Sequence, residues 1–124
     1  DYTTAITSIS GAPGTNGGTL AISAQSDVEY AKQGDTITVT VSITGAVVDN
    51  TSTPGTNGGT LTIGGVTPDT DSTTVADGAD GVVKTSDTVL TLTAPVTDHD
   101  ATVTFTYTLG SSYTPLTFTY ADAV

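Results

Sequence analysis

The clearest pattern in this sequence is the alternation of apolar and hydroxylic residues across positions 36–44. Ile37, Val39, Val41 and Ile43 are apolar, and every residue between them is Thr or Ser. A period of two over this length is typical of a β-strand with one face in a hydrophobic core and the other face in water. A Gln-Gly-Asp turn signal stands immediately before the stretch. The pattern therefore predicts antiparallel β-structure.

Similar short alternating segments recur along the chain, and clusters of Gly, Pro, Asn and Asp separate them. No window of the sequence shows the period of an amphipathic helix. Several short strands divided by turn signals favour a two-layer β-sandwich over alternating strands and helices. The predicted strands are 4–10, 19–24, 36–44, 60–63, 88–93, 102–109 and 114–120, with weaker candidates near Val47 and Val82.

The inward positions of these strands define a candidate hydrophobic core. The chain has 124 residues, which is the size of one domain. Each apolar side chain contributes roughly 1.5–3 kcal/mol when it is fully buried. We expect the core to contain Ile37, Val39, Val41, Ile43, Leu61, Ile63, Leu90, Leu92, Val103, Phe105, Tyr107, Leu109, Leu116, Phe118 and Tyr120.

Composition and charge limit the kinds of molecule that this protein is expected to bind. The chain contains 30 Thr and no Cys, and its formal net charge is −11 with only two fixed cations, Lys32 and Lys84. Such a charge repels phosphate backbones and anionic lipid headgroups, so we expect neither nucleic-acid binding nor membrane insertion. A Thr-rich, acidic β-protein of this kind is typical of secreted and cell-surface proteins, and we expect that location.

One ten-residue segment occurs twice. Residues 13–22 read PGTNGGTLAI and residues 54–63 read PGTNGGTLTI, so nine of ten positions are identical at an offset of 41. One interpretation is that both copies are hairpin loops, because Asn-Gly supplies the positive φ angles of a tight turn and Leu-x-Ile begins a strand. The other interpretation is that the N-terminal copy imitates an internal strand and can occupy an equivalent slot, including one in a neighbouring molecule.

Three stretches in the chain resemble the bacterial Ig-like repeats of surface and adhesin proteins. They are YAKQGDTITVTV at 30–41, LTIGG at 61–65 and DATVTFTYT at 100–108, and the resemblance covers roughly residues 27–120. It implies an all-β, Ig-like antiparallel β-sandwich at 27–124 that serves a structural or adhesive role. Residues 1–26 lie upstream of the resemblance, and we interpret them as an N-terminal strand extension.

An acidic stretch at 68–81 is a candidate cation site. It contains Asp69, Asp71, Asp77 and Asp80, and calcium prefers several carboxylate and carbonyl oxygens. The stretch does not complete an EF-hand loop, because Thr stands where that loop requires Gly and no Glu closes it. The alternative interpretation is that these aspartates form solvated turns. Calcium is the one cofactor that the sequence suggests.

Two further residues are candidates for chemistry. His99 lies between two aspartates, but no coherent nucleophile and orienting group accompany it, so we expect a surface turn and no enzymatic activity. Asn50 begins an Asn-Thr-Ser sequon in a predicted loop and is a candidate N-glycosylation site.

The uncharged strands suggest assembly. Residues 36–44 and 102–109 lack the charges and prolines that usually protect a free strand edge, so their edges must be paired or covered. We therefore expect residues 1–26 to donate a strand to an adjacent subunit, which gives a pilus-like homopolymer. The candidate assembly residues are Tyr2, Ile6, Ile9, Leu20 and Ile22. The alternative is a monomeric Ig-like adhesin module that binds a glycan or a host protein through its loops and is stabilised by calcium.

Overall fold

A computed structural model of the chain describes residues 6–10, 19–46, 58–93, 99–111 and 115–122, and the side chains of these residues except 6–10, 19, 46 and 122. Regular secondary structure within these ranges consists of β-strands alone. These ranges also contain no helix long and apolar enough to cross a membrane. The weak strand predicted near Val47 lies outside the described residues.

The described part of the chain forms nine strands, numbered here in chain order. Seven of them overlap the strands predicted with confidence from the alternation, and β6 contains the weaker candidate at Val82. The strands are β1 (Ile6–Ser10), β2 (Thr19–Ser26), β3 (Thr36–Ala46), β4 (Gly59–Gly64), β5 (Thr74–Val75), β6 (Val82–Lys84), β7 (Val89–Leu92), β8 (Ala101–Thr108) and β9 (Leu116–Asp122).

The strands form two sheets. The first has five strands in the order β1-β9-β4-β7-β6, and the second has four strands in the order β2-β3-β8-β5. The chain crosses between the sheets after β1, β3, β4, β5, β7 and β8, so most sequential strands lie in different sheets. In the second sheet β3 pairs antiparallel with β2 on one side and with β8 on the other.

The core lies between the two sheets. All fifteen residues predicted to point inward are buried, which confirms that prediction and shows a two-layer, all-β architecture. The alternation explains this result, because Thr lies on the outer face of each long strand while Val, Ile, Leu or an aromatic residue on the other face meets the opposite sheet. The same cluster also contains Ile22, Ala31, Val82 and Ala101, which the sequence analysis did not include.

The predicted turn before β3 is present. Gly34 has a φ angle of 91°, a conformation that glycine adopts without a Cβ penalty. The backbone N–H of Lys32 donates to the Asp35 carboxylate at 3.0 Å, and the Asp35 N–H donates back to the Lys32 carbonyl at 3.0 Å. The Gly34 N–H donates to the Leu109 carbonyl, and the Leu109 N–H donates to the Asp35 carbonyl, both at 2.9 Å. The turn therefore connects β2 to β3 and fixes the start of β3 beside the end of β8.

The N-terminal strands differ from the predicted extension. β2 pairs with β3 at all eight of its positions, from Thr19 with Ala46 to Ser26 with Val39. β1 pairs with β9 in the other sheet, and this pairing is parallel, whereas the sequence analysis expected antiparallel sheets throughout. Residues 6–10 and 19–26 thus supply one strand to each sheet of the sandwich. Residues 27–35 return the chain directly from β2 to its neighbour β3.

The two copies of the repeat begin strands with different positions in the fold. The second copy leads into β4, which lies between β7 and β9 and buries Leu61 and Ile63. The first copy leads into β2, which lies at the edge of the other sheet and buries Ile22 while Leu20 is half-buried. Both copies therefore start a strand with Leu-x-Ile facing inward, and the two strands occupy different slots. The hairpin interpretation is wrong, because β1 and β2, like β3 and β4, lie in different sheets and are not paired with each other.

Gly65 is a position where the fold requires glycine. Its φ angle is 86°, and a Cβ atom at this position would overlap the carbonyl oxygen of Pro115, which directly precedes β9. Gly78 has the same φ angle of 86°, but a Cβ there would meet nothing within 4 Å. The close approach of Gly65 to Pro115 therefore sets the distance between the end of β4 and the start of β9.

We expect Gly65→Ala to destabilise the protein more than Gly78→Ala. Both substitutions place alanine at a left-handed φ, which costs roughly 1–2 kcal/mol. Gly65→Ala also forces the β9 backbone to shift, and overpacking of this kind adds roughly 1–3 kcal/mol. Urea unfolding of both variants measures the difference. Equal midpoints for the two variants would contradict the proposed contact with Pro115.

Candidate functional site at the strand edges

The four outer edges of the two sheets are the part of the molecule where another chain could pair. The five-stranded sheet ends in β1 and β6, and the four-stranded sheet ends in β2 and β5. An edge strand presents backbone N–H and C=O groups that are ready to bond to a further strand, and proteins usually protect such edges with charge, shortness or a covering segment. The edges of this sandwich differ in that protection.

The edge of β8 is covered by the acidic stretch. Residues 69–80 run antiparallel to β8 and include the two-residue strand β5. The N–H groups of Asp69 and Ala76 donate to carbonyls of β8 at 2.7 and 2.9 Å, and Asp80 exchanges two backbone hydrogen bonds with Asp100 at 2.7 and 3.0 Å. This stretch leaves carboxylates along the outer side of the sheet. It is therefore a charged edge that resists pairing with another acidic chain.

The four aspartates predicted to bind calcium do not converge. Asp69 is half-buried and accepts hydrogen bonds from the Thr106 and Thr108 hydroxyls at 2.8 and 3.4 Å. Asp71, Asp77 and Asp80 are exposed at other points along the stretch. Among the described residues no group of three or more acidic or histidine side chains is close enough to hold a metal ion. The structure thus does not assemble the predicted calcium site, because the segment is extended along β8 and its carboxylates are spread out.

Asp87 holds the acidic stretch in place. Its carboxylate accepts the N–H of Asp71 at 2.8 Å and the N–H of Thr73 at 3.1 Å, and its carbonyl accepts the buried Thr73 hydroxyl at 2.6 Å. Asp71 has a φ angle of 59°, a left-handed conformation that Asp tolerates better than most residues. No local sequence pattern marks Asp87, because its partners Thr73 and Asp71 are 14 and 16 positions away in the chain.

The protonation of Asp87 is coupled to the hydrogen bonds that its carboxylate accepts from Asp71 and Thr73. The hydrogen bonds from Asp71 N–H and Thr73 N–H, together with the Lys84 ammonium at 3.2 Å, hold the pKa of Asp87 below the 3.8 of an unperturbed aspartate. A carboxylate whose pKa is lowered on folding stabilises the folded state above its unfolded pKa. That stabilisation disappears as the pH falls through the folded value.

Among the described residues the β2 edge has no comparable protection. Residues 19–26 read TLAISAQS and contain no charge, proline or glycine over eight positions. Within the described ranges β3 is the only strand that pairs with β2. Ala21, Ser23 and Gln25 are exposed on the outer face, while Ile22 points into the core. Leu20 and Ile22, two of the predicted assembly residues, therefore pack within their own subunit.

The β9 edge is covered by β1. Ile6 pairs with Leu116, Ile9 pairs with Phe118, and the register shifts between Ile6 and Ser8. β9 also pairs antiparallel with β4 on its other side, so it has partners at both edges. Ile6 and Ile9 are thus predicted assembly residues that pair within their own subunit. The fifth predicted assembly residue, Tyr2, lies outside the described residues, as does the candidate glycosylation site Asn50.

His99 is not on a surface turn, and the sequence-based expectation was wrong. The side chain is fully buried, with 0% exposure. Its Nε2 atom is 2.8 Å from the Thr93 carbonyl oxygen, and its backbone N–H donates to the Gly45 carbonyl, which continues the β3–β8 ladder. A polar ring that fills a core position and bonds a backbone carbonyl stabilises the fold. Its burial separates it from any substrate in solvent.

A cavity of about 320 Å³ opens at one end of the sandwich. Gly65 and Val66 line it on one side, and the segment from Tyr107 to Ser111 lines it on the other. Thr67, Thr108 and Ser111 bring hydroxyl groups to its wall. The cavity is an open, largely polar depression rather than an enclosed apolar pocket.

Comparison with known proteins gives no relative for this chain. No protein-family model, no curated protein and no solved structure matches it.

We expect the stabilisation from Asp87 to depend on pH. Asp87→Asn should be less stable than the unsubstituted protein at pH 7, because the amide lacks the charge and presents N–H groups toward the N–H donors of Asp71 and Thr73. The difference should begin to shrink below about pH 4, where an aspartate of the unfolded chain becomes protonated, and should be lost as the pH falls through the lowered pKa of folded Asp87. Urea titrations at several pH values measure it.

Asp77→Asn is the matched control for this experiment, because Asp77 is exposed in the same acidic stretch. It removes the same charge and leaves the hydrogen bonds of Asp87 with Asp71 and Thr73 unchanged. A pH dependence of Asp87→Asn that merely parallels that of Asp77→Asn would contradict the role of Asp87.

Proposed function

We propose that this protein is an Ig-like structural subunit that polymerises into an extracellular or cell-surface filament by passing β1 to a neighbouring copy. An Ig sandwich has one sheet in the order A-B-E-D and a second sheet containing C-F-G. The order β2-β3-β8-β5 matches the first, and the pair β4-β9 matches C and F of the second. The strands β7 and β6 extend the second sheet beyond β4.

The parallel pairing of β1 with β9 is the observation that carries the proposal. In this correspondence β1 occupies the position of strand G beside strand F. Strand G of an Ig domain runs antiparallel to F, whereas β1 runs parallel to β9. The edge of β9 thus accepts a strand from the other end of the sequence, and such a strand can equally come from a second molecule.

β1 is also held by few contacts in its own sheet. It is five residues long, β9 is its only partner among the described strands, and its register is irregular. β9, in contrast, needs a partner at this edge, because residues 116–121 contain no charge, proline or glycine. If β1 leaves its own subunit, the same strand of another copy restores the same hydrogen bonds.

Strand exchange of this kind propagates. A β1 strand contacts a β9 edge, and these are different surfaces, so the contact is heterologous and each subunit can both donate and accept. When the exchange does not close into a ring, it produces a filament. The 11–18 segment connects β1 to β2 and is the part of the chain that would span adjacent subunits.

The charge distribution is compatible with this contact. Each subunit carries a formal net charge of −11, so close approach is opposed unless salt screens the repulsion. Residues 6–10 and 116–121 are uncharged, so the paired strands bring no like charges together. Polymerisation should therefore be stronger at high ionic strength, and the expected partners are other copies of the chain rather than nucleic acid or membrane.

A pair of cysteines across β1 and β9 tests the exchange. Ser10 and Thr119 are register partners, and the chain has no other cysteine to interfere. In the Ser10→Cys/Thr119→Cys variant, oxidation of assembled protein should join successive subunits. Denaturing electrophoresis without reductant should then show a ladder of covalent oligomers.

The control pair is Thr40→Cys/Thr104→Cys, which lies across β3 and β8 and should crosslink only within one chain. If the Ser10→Cys/Thr119→Cys variant forms filaments but oxidation gives only monomers with an internal crosslink, this result would contradict exchange of β1. The absence of filaments by negative-stain electron microscopy in low and high salt would contradict the structural function itself.

Removal of residues 1–12 gives a second prediction. The truncated protein should be a soluble or less stable monomer that no longer polymerises, because the β9 edge has lost its strand. A synthetic peptide of residues 1–12 should bind it and raise its thermal midpoint. Filaments formed by the truncated protein alone would show that β1 is not the assembling strand.

A monomeric binding module is the second candidate function. The 320 Å³ cavity between residues 65–67 and 107–111 favours it, because its hydroxyl groups suit a polar ligand such as a glycan. This function predicts a monomer at every salt concentration. Size-exclusion chromatography in low and high salt distinguishes it from a polymerising subunit.

A further inference from the structure

We infer that the outer edge of β2 is a second self-association surface, at which two copies of the chain pair β2 with β2 in antiparallel orientation. This surface is separate from the β1–β9 edge, because β2 belongs to the other sheet. The contact would join two four-stranded sheets into one continuous sheet of eight strands. It does not depend on the exchange of β1.

The difference between the two edges of the four-stranded sheet is the first support. The edge beside β8 is covered by residues 69–80 and carries Asp69, Asp71, Asp77 and Asp80. The β2 edge has eight residues and no charge, although the chain as a whole carries a net charge of −11. Proteins protect free edges with charges, and within the part of the chain that the structure describes this protection is confined to one side.

The charges around β2 decide the orientation of the partner strand. Asp27 and Glu29 follow β2 directly, and both are exposed. Antiparallel pairing centred on Ser23 places the two Asp27 residues roughly 26 Å apart at about 3.3 Å per residue. This separation exceeds the Debye length of roughly 8 Å at physiological ionic strength. Parallel pairing would instead put the acidic residues of both copies side by side.

The inward and outward faces of β2 restrict the register. Residues directly opposite each other in a sheet point to the same side, so Ile22 and the half-buried Leu20 and Ala24 must face inward in both copies. Two registers satisfy this condition and keep nearly the whole strand paired. One places Ser23 opposite Ser23 of the second copy, and the other places Ser23 opposite Ala21.

The occupant of this edge is a second copy because the strand is complementary to itself. An antiparallel pair about a two-fold axis is isologous, so the same uncharged surface serves both partners. The remaining edges cannot fill this position as well: residues 69–80 are acidic, β6 has only three residues, and β9 is already paired with β1.

Single cysteines test the contact and its register. Ser23→Cys should give a covalent dimer on oxidation in the first register, and a mixture of Ala21→Cys with Ser23→Cys should give a heterodimer in the second. A single cysteine can form only dimers, so this result is distinct from the ladder expected for β1 exchange. Thr40→Cys is the control, because Thr40 is exposed on the same face but lies on the inner strand β3.

A charge placed on the edge tests the same contact without crosslinking. Ser23→Lys should raise the dimer Kd, measured by sedimentation equilibrium, at least tenfold, because two lysines would lie directly opposite each other in the first register and diagonally across the axis in the second. Thr40→Lys changes the net charge equally on the same face and should alter the Kd less than about threefold. An equal change of Kd in Ser23→Lys and Thr40→Lys would overturn the inference. So would crosslinking no stronger than that of Thr40→Cys, both for Ser23→Cys alone and for its mixture with Ala21→Cys.

Discussion

The structure depends on one requirement of β-strands: every backbone N–H and C=O group needs a hydrogen-bond partner. At a sheet edge that partner is water, and the edge then needs a feature that prevents pairing with another chain. The inner strands β3, β4, β7, β8 and β9 meet it through two neighbours each. The outer strands meet it differently: residues 69–80 carry carboxylates, β6 is short, and β2 is long and uncharged. The Thr-rich composition follows from the same requirement, since Thr satisfies the strand geometry and faces water without adding charge.

Much of the fold could be predicted from the sequence, because the alternation of apolar and polar residues is a property of each strand by itself. A period of two fixes which side of each strand points inward, and it identified residues from Ile37 to Tyr120 that the structure buries. The turn at Gly34 was likewise visible in three consecutive residues. Direction is not encoded in this way, because alternation reads the same forwards and backwards. The parallel pairing of β1 with β9 therefore could not be predicted.

The candidate site was harder to predict because its contacts join distant parts of the chain. Asp87 contacts Asp71 and Thr73 only because the hairpin β6–β7 brings them together. The acidic stretch suggested a metal site from its composition, but its extended path along β8 spreads the carboxylates apart. His99 is buried because the Thr93 carbonyl satisfies its ring, and no local pattern announces such a partner.

The parallel pairing of β1 and β9 also determines how the molecule carries mechanical load. Ile6 lies beside Leu116, so the N-terminal side of β1 and the C-terminal side of β9 leave the pair at opposite ends. Tension applied between these two points slides the strands along each other and loads their hydrogen bonds together in shear. In a hairpin pulled from its open end the bonds would instead break one after another. The direction of a five-residue strand thus makes this edge suited to resist stretching.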